Sequence, residues 1–299
     1  MTNEPVQFFN RYSERIETET IYGESWLRWC YGNPLGTLAL NALVKRAVFS
    51  RWYGWRMDGA RSRGMIQPFI ERYEIRTEEF EDSVDSFKTF NEFFYRRLKR
   101  EARPSHPAPG AIHFPADGRH LGFQNLSMNQ GFYVKGQSLN LAELLQDARV
   151  ASEYEEGTLV ISRLCPVDYH RFHFPVSGKA SNPRLIEGPL FSVNPIALRK
   201  KLRILSLNRR WITTIDVPGR GRVLMIEVGA TNVGSAISTF SPAMPVQAGD
   251  EKGYFRFGGS MTLCLFPKGA VVLDRDLSRE SATARELYAK VGDRMGRWT

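Results

Sequence analysis

The stretch RWITTIDVPG (210–219) and, two residues on, RVLMIEVG (222–229) decides the fold class. Each is a short apolar run closed by a turn residue, the pattern of strands in a largely antiparallel sheet. The same signature recurs in GTLVISRL (157–164), RFHFPVSG (171–178), MTLCLFPKG (261–269) and AVVLDRDL (270–277), with glycine at nearly every boundary. Between these runs LNLAELLQDAR (139–149) predicts one helix, and SRESATARELYAKVGDRMG (278–296) predicts another that closes the chain.

Toward the N-terminus the pattern changes. EARPSHPAPGAIHFPADG (101–118) is dense in proline and glycine, which break helices and mark a connection between two units. Before it, PVQFFNRYSERI (5–16), GTLALNALVKRAVF (36–49) and MIQPFIERY (65–73) space apolar residues by three and four, as helices do. Thr89 and Glu92 form a capping box opening FNEFFYRRLKR (90–100), where Phe90, Phe93, Phe94 and Leu98 make a buried stripe and Arg96, Arg97, Lys99 and Arg100 stay wet. The expected class is α+β: a helical region over residues 1–104 packed on a β-rich region over 105–299.

The 299 residues, 42% hydrophobic and 24% charged, suffice for a substantial core. Cys30, Cys165 and Cys264 are an odd count without a C-x-x-C pair, so neither a disulfide framework nor a zinc site is indicated, and a reducing compartment is the simpler reading. The chain opens with polar and acidic residues rather than a signal peptide. Its longest apolar candidate, Leu35 to Val44, is interrupted by Thr37 and Asn41 and falls short of the roughly 20 residues a membrane-crossing helix needs.

The net charge of +9 is concentrated. Residues 25–65 hold Arg28, Lys45, Arg46, Arg51, Arg56, Arg61 and Arg63 against Asp58 alone, two thirds of the excess. Four of the six tryptophans (Trp26, Trp29, Trp52, Trp55) stand there too, with Tyr31, Phe49 and Tyr53. Basic residues with amphipathic rings suit a helix lying in an anionic membrane interface; the alternative is a helical subdomain with inward aromatics and solvated arginines. No nucleic-acid module accompanies the charge.

The residues able to carry chemistry are few. His170 and His173 stand three apart in PVDYHRFHFPVSG (166–178), a spacing that faces opposite sides on a strand, so the two imidazoles have separate jobs or one is structural. No third ligand at a recognisable spacing supports a metal site. Asp117 lies in the turn PADG (115–118), where aspartate commonly caps backbone amides. Ser260 follows Gly258 and Gly259; without Cβ atoms these let the backbone strain and leave the Gly259 carbonyl open to the neighbouring hydroxyl. His113 and His120 receive no role.

Together PADG, PVDYHRFHFPVSG, LFSVNPIA (190–197), VGATNVGS (228–235) and KGYFRFGGS (252–260) appear in the order and approximate spacing of the phosphatidylserine decarboxylases, and the whole chain resembles that family. GESWLRWCYGNPLGTLALNALVKR (23–46) and TFNEFFYRRLK (89–99) resemble a bacterial branch of it. The resemblance implies that Ser260, activated by His173 and Asp117 as a triad, attacks the Gly259 carbonyl. Cleavage leaves residues 1–259 and a fragment 260–299 capped by a pyruvoyl group, the cofactor. That group condenses with the serine amine of phosphatidylserine and accepts electrons as carbon dioxide leaves; His170 returns the proton and phosphatidylethanolamine is released. Phe191, Ser192, Asn194 and Pro195 are expected to shape the headgroup pocket. The resemblance further implies a homodimer held peripherally on the cytoplasmic face of the cell membrane, with anionic phospholipid as partner and no nucleic acid.

One position departs from the pattern. Met261 stands where the family usually has serine or threonine after the reactive serine. Two rival readings follow: an unprocessed lipid-binding relative whose maturation Met261 has disabled, and a Ser/His/Asp lipid hydrolase, against which stands the absence of a G-x-S-x-G elbow.

Overall fold

The computed structural model describes residues 5–39, 47–104, 108–127, 139–230, 236–242, 244–258 and 260–299. Its centre is an eleven-stranded sheet. Across it run Pro245–Val246, Gly178–Ala180, Arg210–Val217, Gly221–Val228, Ser260–Phe266, Thr158–Leu164, Gly118–Phe123, Glu286–Ala289, Gln7–Asn10 and Arg15–Thr18, with Arg184–Ile186 also paired to Arg210–Val217. Neighbours are antiparallel throughout except Gln7–Asn10 beside Glu286–Ala289. Two three-stranded sheets, Ala236–Ser238 with Glu251–Phe255 and Arg171–His173, and Val271–Leu273 with Arg294–Trp298 and Ala111–His113, complete the β architecture. The α+β expectation holds.

Ser260–Phe266 lies in the middle of the large sheet and is buried along its length. Alternation along it divides the core in two. Met261, Leu263 and Leu265 join one apolar cluster with Leu224, Ile226, Leu159 and Ile161, whereas Cys264 and Phe266 join another with Val160, Met225 and Phe172. Ser260 and Thr262 therefore share the face of Cys264, and Met261 turns to the opposite one.

A third cluster is built from phenylalanines of the helical region: Phe69, Phe80, Phe87, Phe90, Phe93 and Phe94 close around Phe257. Helices Glu24–Gly32, Pro34–Ala39, Ala47–Asp58 and Ile66–Tyr73 precede the short helix Phe90–Phe94. The Thr89 cap forms, its hydroxyl accepting from the Glu92 amide at 3.2 Å, but the Glu92 carboxylate takes the Lys88 amide. The helix stops after Phe94 because Leu98 bridges back to Phe80 as an extended segment. Arg96 is accordingly not wet: it is 5% exposed, with Phe80 and Phe93 rings 4.9 and 5.0 Å from its guanidinium.

Three other expectations change. Residues 5–16, read as helical, form a hairpin, Gln7–Asn10 with Arg15–Thr18, whose first strand extends the main sheet. Phe8 faces inward while Phe9 packs from the side, so adjacent apolar residues that fit a helical period serve two faces of a strand instead. The helix expected over 139–149 is two, Leu141–Leu145 and Ala148–Ser152, separated by Gln146 at φ +46° and restarted by the Asp147 cap. The closing helix is Arg275–Ala282; Ala284 at φ +56° ends it, and Glu286–Ala289 and Arg294–Trp298 follow as strands. Residues 40–46 of the segment 36–49 lie outside the described residues.

Candidate active site

Ser260 opens its strand opposite Leu164 and is wholly buried. The residues before it are tied to the helical region: Phe257 meets Phe90 and Phe94 edge to face, and its amide donates to the buried Asn91 side chain at 2.9 Å. Gly258, at φ +138°, occupies backbone space that suits only glycine. Gly259, the expected cleavage partner, lies outside the described residues, as does most of VGATNVGS.

The Ser260 hydroxyl meets His170, with Oγ 3.3 Å from Nδ1. The other ring nitrogen, Nε2, is 2.9 Å from the Cys165 carbonyl. A carbonyl only accepts, so Nε2 carries the proton and Nδ1 presents its lone pair to the hydroxyl. Burial, and after it the Arg96 charge, lowers the His170 pKa to about 3, which keeps the ring neutral. Its face lies on Phe94, centroids 3.8 Å apart.

The Cys165 carbonyl is itself held in place. The Asp168 carboxylate accepts from the Cys165 amide at 2.6 Å, the Asp168 amide donates back to the Cys165 carbonyl at 2.9 Å, and Arg119 grips Asp168 at 2.6 and 2.7 Å. Behind this turn Arg163 bridges Glu19 and Glu286. Burial works to raise the Glu19 pKa, but the Arg163 and Arg119 charges prevail and draw it down to about 2.

His173 ends the strand Arg171–His173, whereas His170 precedes it, and the two rings meet different partners. Its Nδ1 donates to the Gly249 carbonyl at 2.9 Å, while Nε2 is buried without a hydrogen-bond partner among the described residues. Burial lowers its pKa, opposed by the Gly249 carbonyl and the charges of Glu251 and Asp117. The ring is a neutral base with a free lone pair.

Asp117 is engaged by other groups. Its carboxylate takes two prongs of Arg103, at 2.5 and 2.9 Å, and the Val291 amide at 2.9 Å, and hydrogen-bonds neither histidine. The PADG turn needs its glycine: a Cβ at Gly118 would stand 2.4 Å from the Arg163 carbonyl oxygen. Ser260 and His170 are thus brought into contact, and Asp117 acts on His173 through its charge alone.

A cavity of about 1050 Å³ reaches Phe257 and Gly258 from the surface, lined by Tyr22, Trp26, Arg72, Tyr73 and Cys165 among others. Of the four residues expected to shape the pocket, Ser192 and Asn194 line it. Phe191 packs into the core, and Pro195 is buried as the first residue of the helix that Asn194 caps.

Residues 90–297 match the family model described as phosphatidylserine decarboxylase. This chain belongs to the phosphatidylserine decarboxylase family. Proteins called phosphatidylserine decarboxylase proenzyme are similar along nearly the whole length. That of Fusobacterium nucleatum subsp. nucleatum is 39% identical, with 99% of both chains covered. The Desulfitobacterium hafniense protein is 38% identical over 97% of this chain and 98% of its own, and that of Ruminiclostridium cellulolyticum 40% identical over 97% of each. The decarboxylase match spans Asp117, His170, His173 and Ser260 alike.

Nothing in the sequence marks Arg103 or the Arg119–Asp168 pair as neighbours of these residues, and Phe94 stands out there only as part of a buried stripe. Asp168 was visible inside PVDYH, but that its carboxylate shapes the turn presenting a carbonyl to His170 depends on a partner 49 residues away.

Proposed function

We propose that this chain converts phosphatidylserine to phosphatidylethanolamine with a pyruvoyl group made from its own Ser260. The observation that carries this reading is the buried hydroxyl of Ser260 against the lone pair of a neutral His170, beside a cavity open to the surface. An ordinary serine hydroxyl is a poor nucleophile until a base receives its proton.

Self-processing needs proton acceptance twice. Oγ attacks the Gly259 carbonyl as its proton leaves, and the Gly259–Ser260 amide becomes an ester. Loss of the Ser260 Cα proton then breaks the Cβ–O bond, leaving residues 1–259 with a free carboxylate and a dehydroalanine at 260, which water hydrolyses to a ketone and ammonia. His170 is the acceptor for the hydroxyl. His173, supported by the Asp117 charge, is the second base, so the roles implied by family resemblance and the contact at Ser260 are compatible.

The pyruvoyl carbonyl supplies the electron sink that decarboxylation of an amino acid requires. The residues present fit it: the position is wholly buried and tightly held by Phe257, Asn91 and the flanking strands. His170 stands at the same atom after maturation and returns a proton to the substrate carbon. Arg72 supports headgroup binding: it lines the cavity, lies over Tyr73 at 5.5 Å and has no carboxylate within ion-pair distance among the described residues, whereas Arg163 is neutralised by Glu19 and Glu286.

Peripheral attachment to the cytoplasmic face of the membrane is part of the proposal. Trp26, Trp29, Leu35, Leu38, Trp52 and Trp55 are all exposed, Trp55 by 72%, in the basic segment. Trp26 also lines the cavity, so lipid drawn to this surface meets its mouth. Among the described residues no helix is long and apolar enough to cross a membrane. A homodimer is the expected assembly.

The test is release of labelled carbon dioxide from carboxyl-labelled phosphatidylserine in anionic vesicles, with phosphatidylethanolamine identified by mass. Equal production of both supports the reading. Fatty acid release without carbon dioxide would instead favour the hydrolase.

A further inference from the structure

Arg103 stands at the start of the connection out of the helical region, just after the turn Arg100–Ala102, yet its guanidinium reaches the catalytic sheet. Nε lies 2.9 Å from both Asp117 oxygens and Nη2 2.5 Å from Oδ2, while Nη1 donates to Glu79 at 2.8 Å. The Asp117 side chain is 2% exposed and that of Arg103 12%. Glu79, in the turn Thr77–Glu79, also attracts Lys290 at 3.8 Å, so the arginine is anchored from behind as it holds the aspartate in front.

The consequence concerns His173. Its Nε2 is buried with no hydrogen-bond partner among the described residues, and to accept a proton there it must become a buried cation. A fixed negative charge nearby lowers that cost, as the aspartate of a Ser-His-Asp arrangement does. The Asp117 carboxylate supplies such a charge only if it is held in place, and the Arg103 fork holds it. The groups that share its polar cavity of about 550 Å³ include Arg103, Arg96 and Glu79 from the helical region, and Arg119, Asp168, Tyr169, Tyr288 and Lys290. Of these Arg103 is the cation in direct contact.

We propose that Arg103 is a positioning residue for self-processing: its two-pronged grip fixes the place and orientation of the Asp117 carboxylate for His173, so maturation requires the helical region to be docked. The inference rests on the self-processing reading and specifies how the two regions cooperate in it.

The test follows cleavage of freshly folded full-length chains by denaturing mass spectrometry, for wild type, Arg103→Lys, Arg103→Ala and Asp117→Asn. Arg103→Ala is expected to mature at least tenfold more slowly. Arg103→Lys keeps the charge without the fork and falls between it and wild type. Methylguanidinium, but not urea or sodium chloride at equal concentration, restores cleavage to Arg103→Ala. Wild-type rates in Arg103→Lys overturn the proposal, even if the alanine variant fails to fold. So does a folded Arg103→Ala protein that matures normally, or one that methylguanidinium leaves unaffected. If wild type and Asp117→Asn mature equally, the role of Asp117 fails instead; if wild type never matures, the self-processing reading fails.

Discussion

His170 approaches the Ser260 hydroxyl with Nδ1 at 3.3 Å because its Nε2 is committed to the Cys165 carbonyl. That commitment selects the tautomer, so the contact is an acceptor waiting for a proton. In the proposed mechanism His170 works before cleavage as well as after it.

His170→Ala is predicted to slow appearance of the small fragment at least tenfold, and whatever matures should turn over poorly. His173→Ala and Ser260→Ala should abolish cleavage. Time courses by denaturing electrophoresis and mass check this; cleavage of His170→Ala at the wild-type rate would confine the residue to the decarboxylation step.

Met261 points away from Ser260, and the proposed processing does not use its side chain. Its side chain joins Leu263 and Leu265 on the sheet face away from Ser260 and is fully buried. Met261→Thr should restore the family's residue type without accelerating cleavage, and should cost stability, on the order of 2 kcal/mol, through lost apolar contact and a buried hydroxyl. Chemical denaturation and a cleavage time course separate the two effects. A large acceleration would mean that a hydroxyl at 261 takes part after all.

Acid should destabilise the fold through two buried histidines. Burial lowers the His120 and His170 pKa values to about 3, well below the ordinary 6.5. Between these limits the unfolded chain binds protons that the folded chain refuses, so stability falls as pH falls through that window. From pH 6.5 to 5 the loss is about 2 kcal/mol for each histidine. His120 hydrogen-bonds Ser162 and the Ala289 carbonyl away from Ser260, so His120→Gln should flatten the pH dependence of unfolding measured by urea titration; an unchanged slope would contradict its buried neutral state.

Arg72→Met should raise KM for phosphatidylserine about tenfold in detergent-dispersed substrate, with kcat within about twofold, since a charge-assisted contact to a headgroup anion is worth roughly 1.5–3 kcal/mol. Steady-state carbon dioxide release decides it, and an unchanged KM would remove Arg72 from the binding site.

The strands around Arg210–Val228 were legible because each is a short apolar run between turn residues, a local signal. The N-terminal hairpin was not: Phe8 and Phe9 suit a helical period equally well, and only pairing with Glu286–Ala289, far along the chain, selects a strand. The same limit applies at the site. Ser260, His170, His173 and Asp117 stood out as residue types in motifs, but which histidine touches the serine depends on the Cys165–Asp168 turn and on Phe94. Arg103, one of many arginines in its segment, acquires meaning only when the fold sets it against Asp117.

The most direct test of the central claim is the intact mass of the purified wild-type chain under denaturing conditions. The account predicts two species, residues 1–259 and a fragment starting at 260 whose N-terminus is a ketone that reacts with hydroxylamine and resists Edman degradation. A single 299-residue species persisting after prolonged incubation would contradict it.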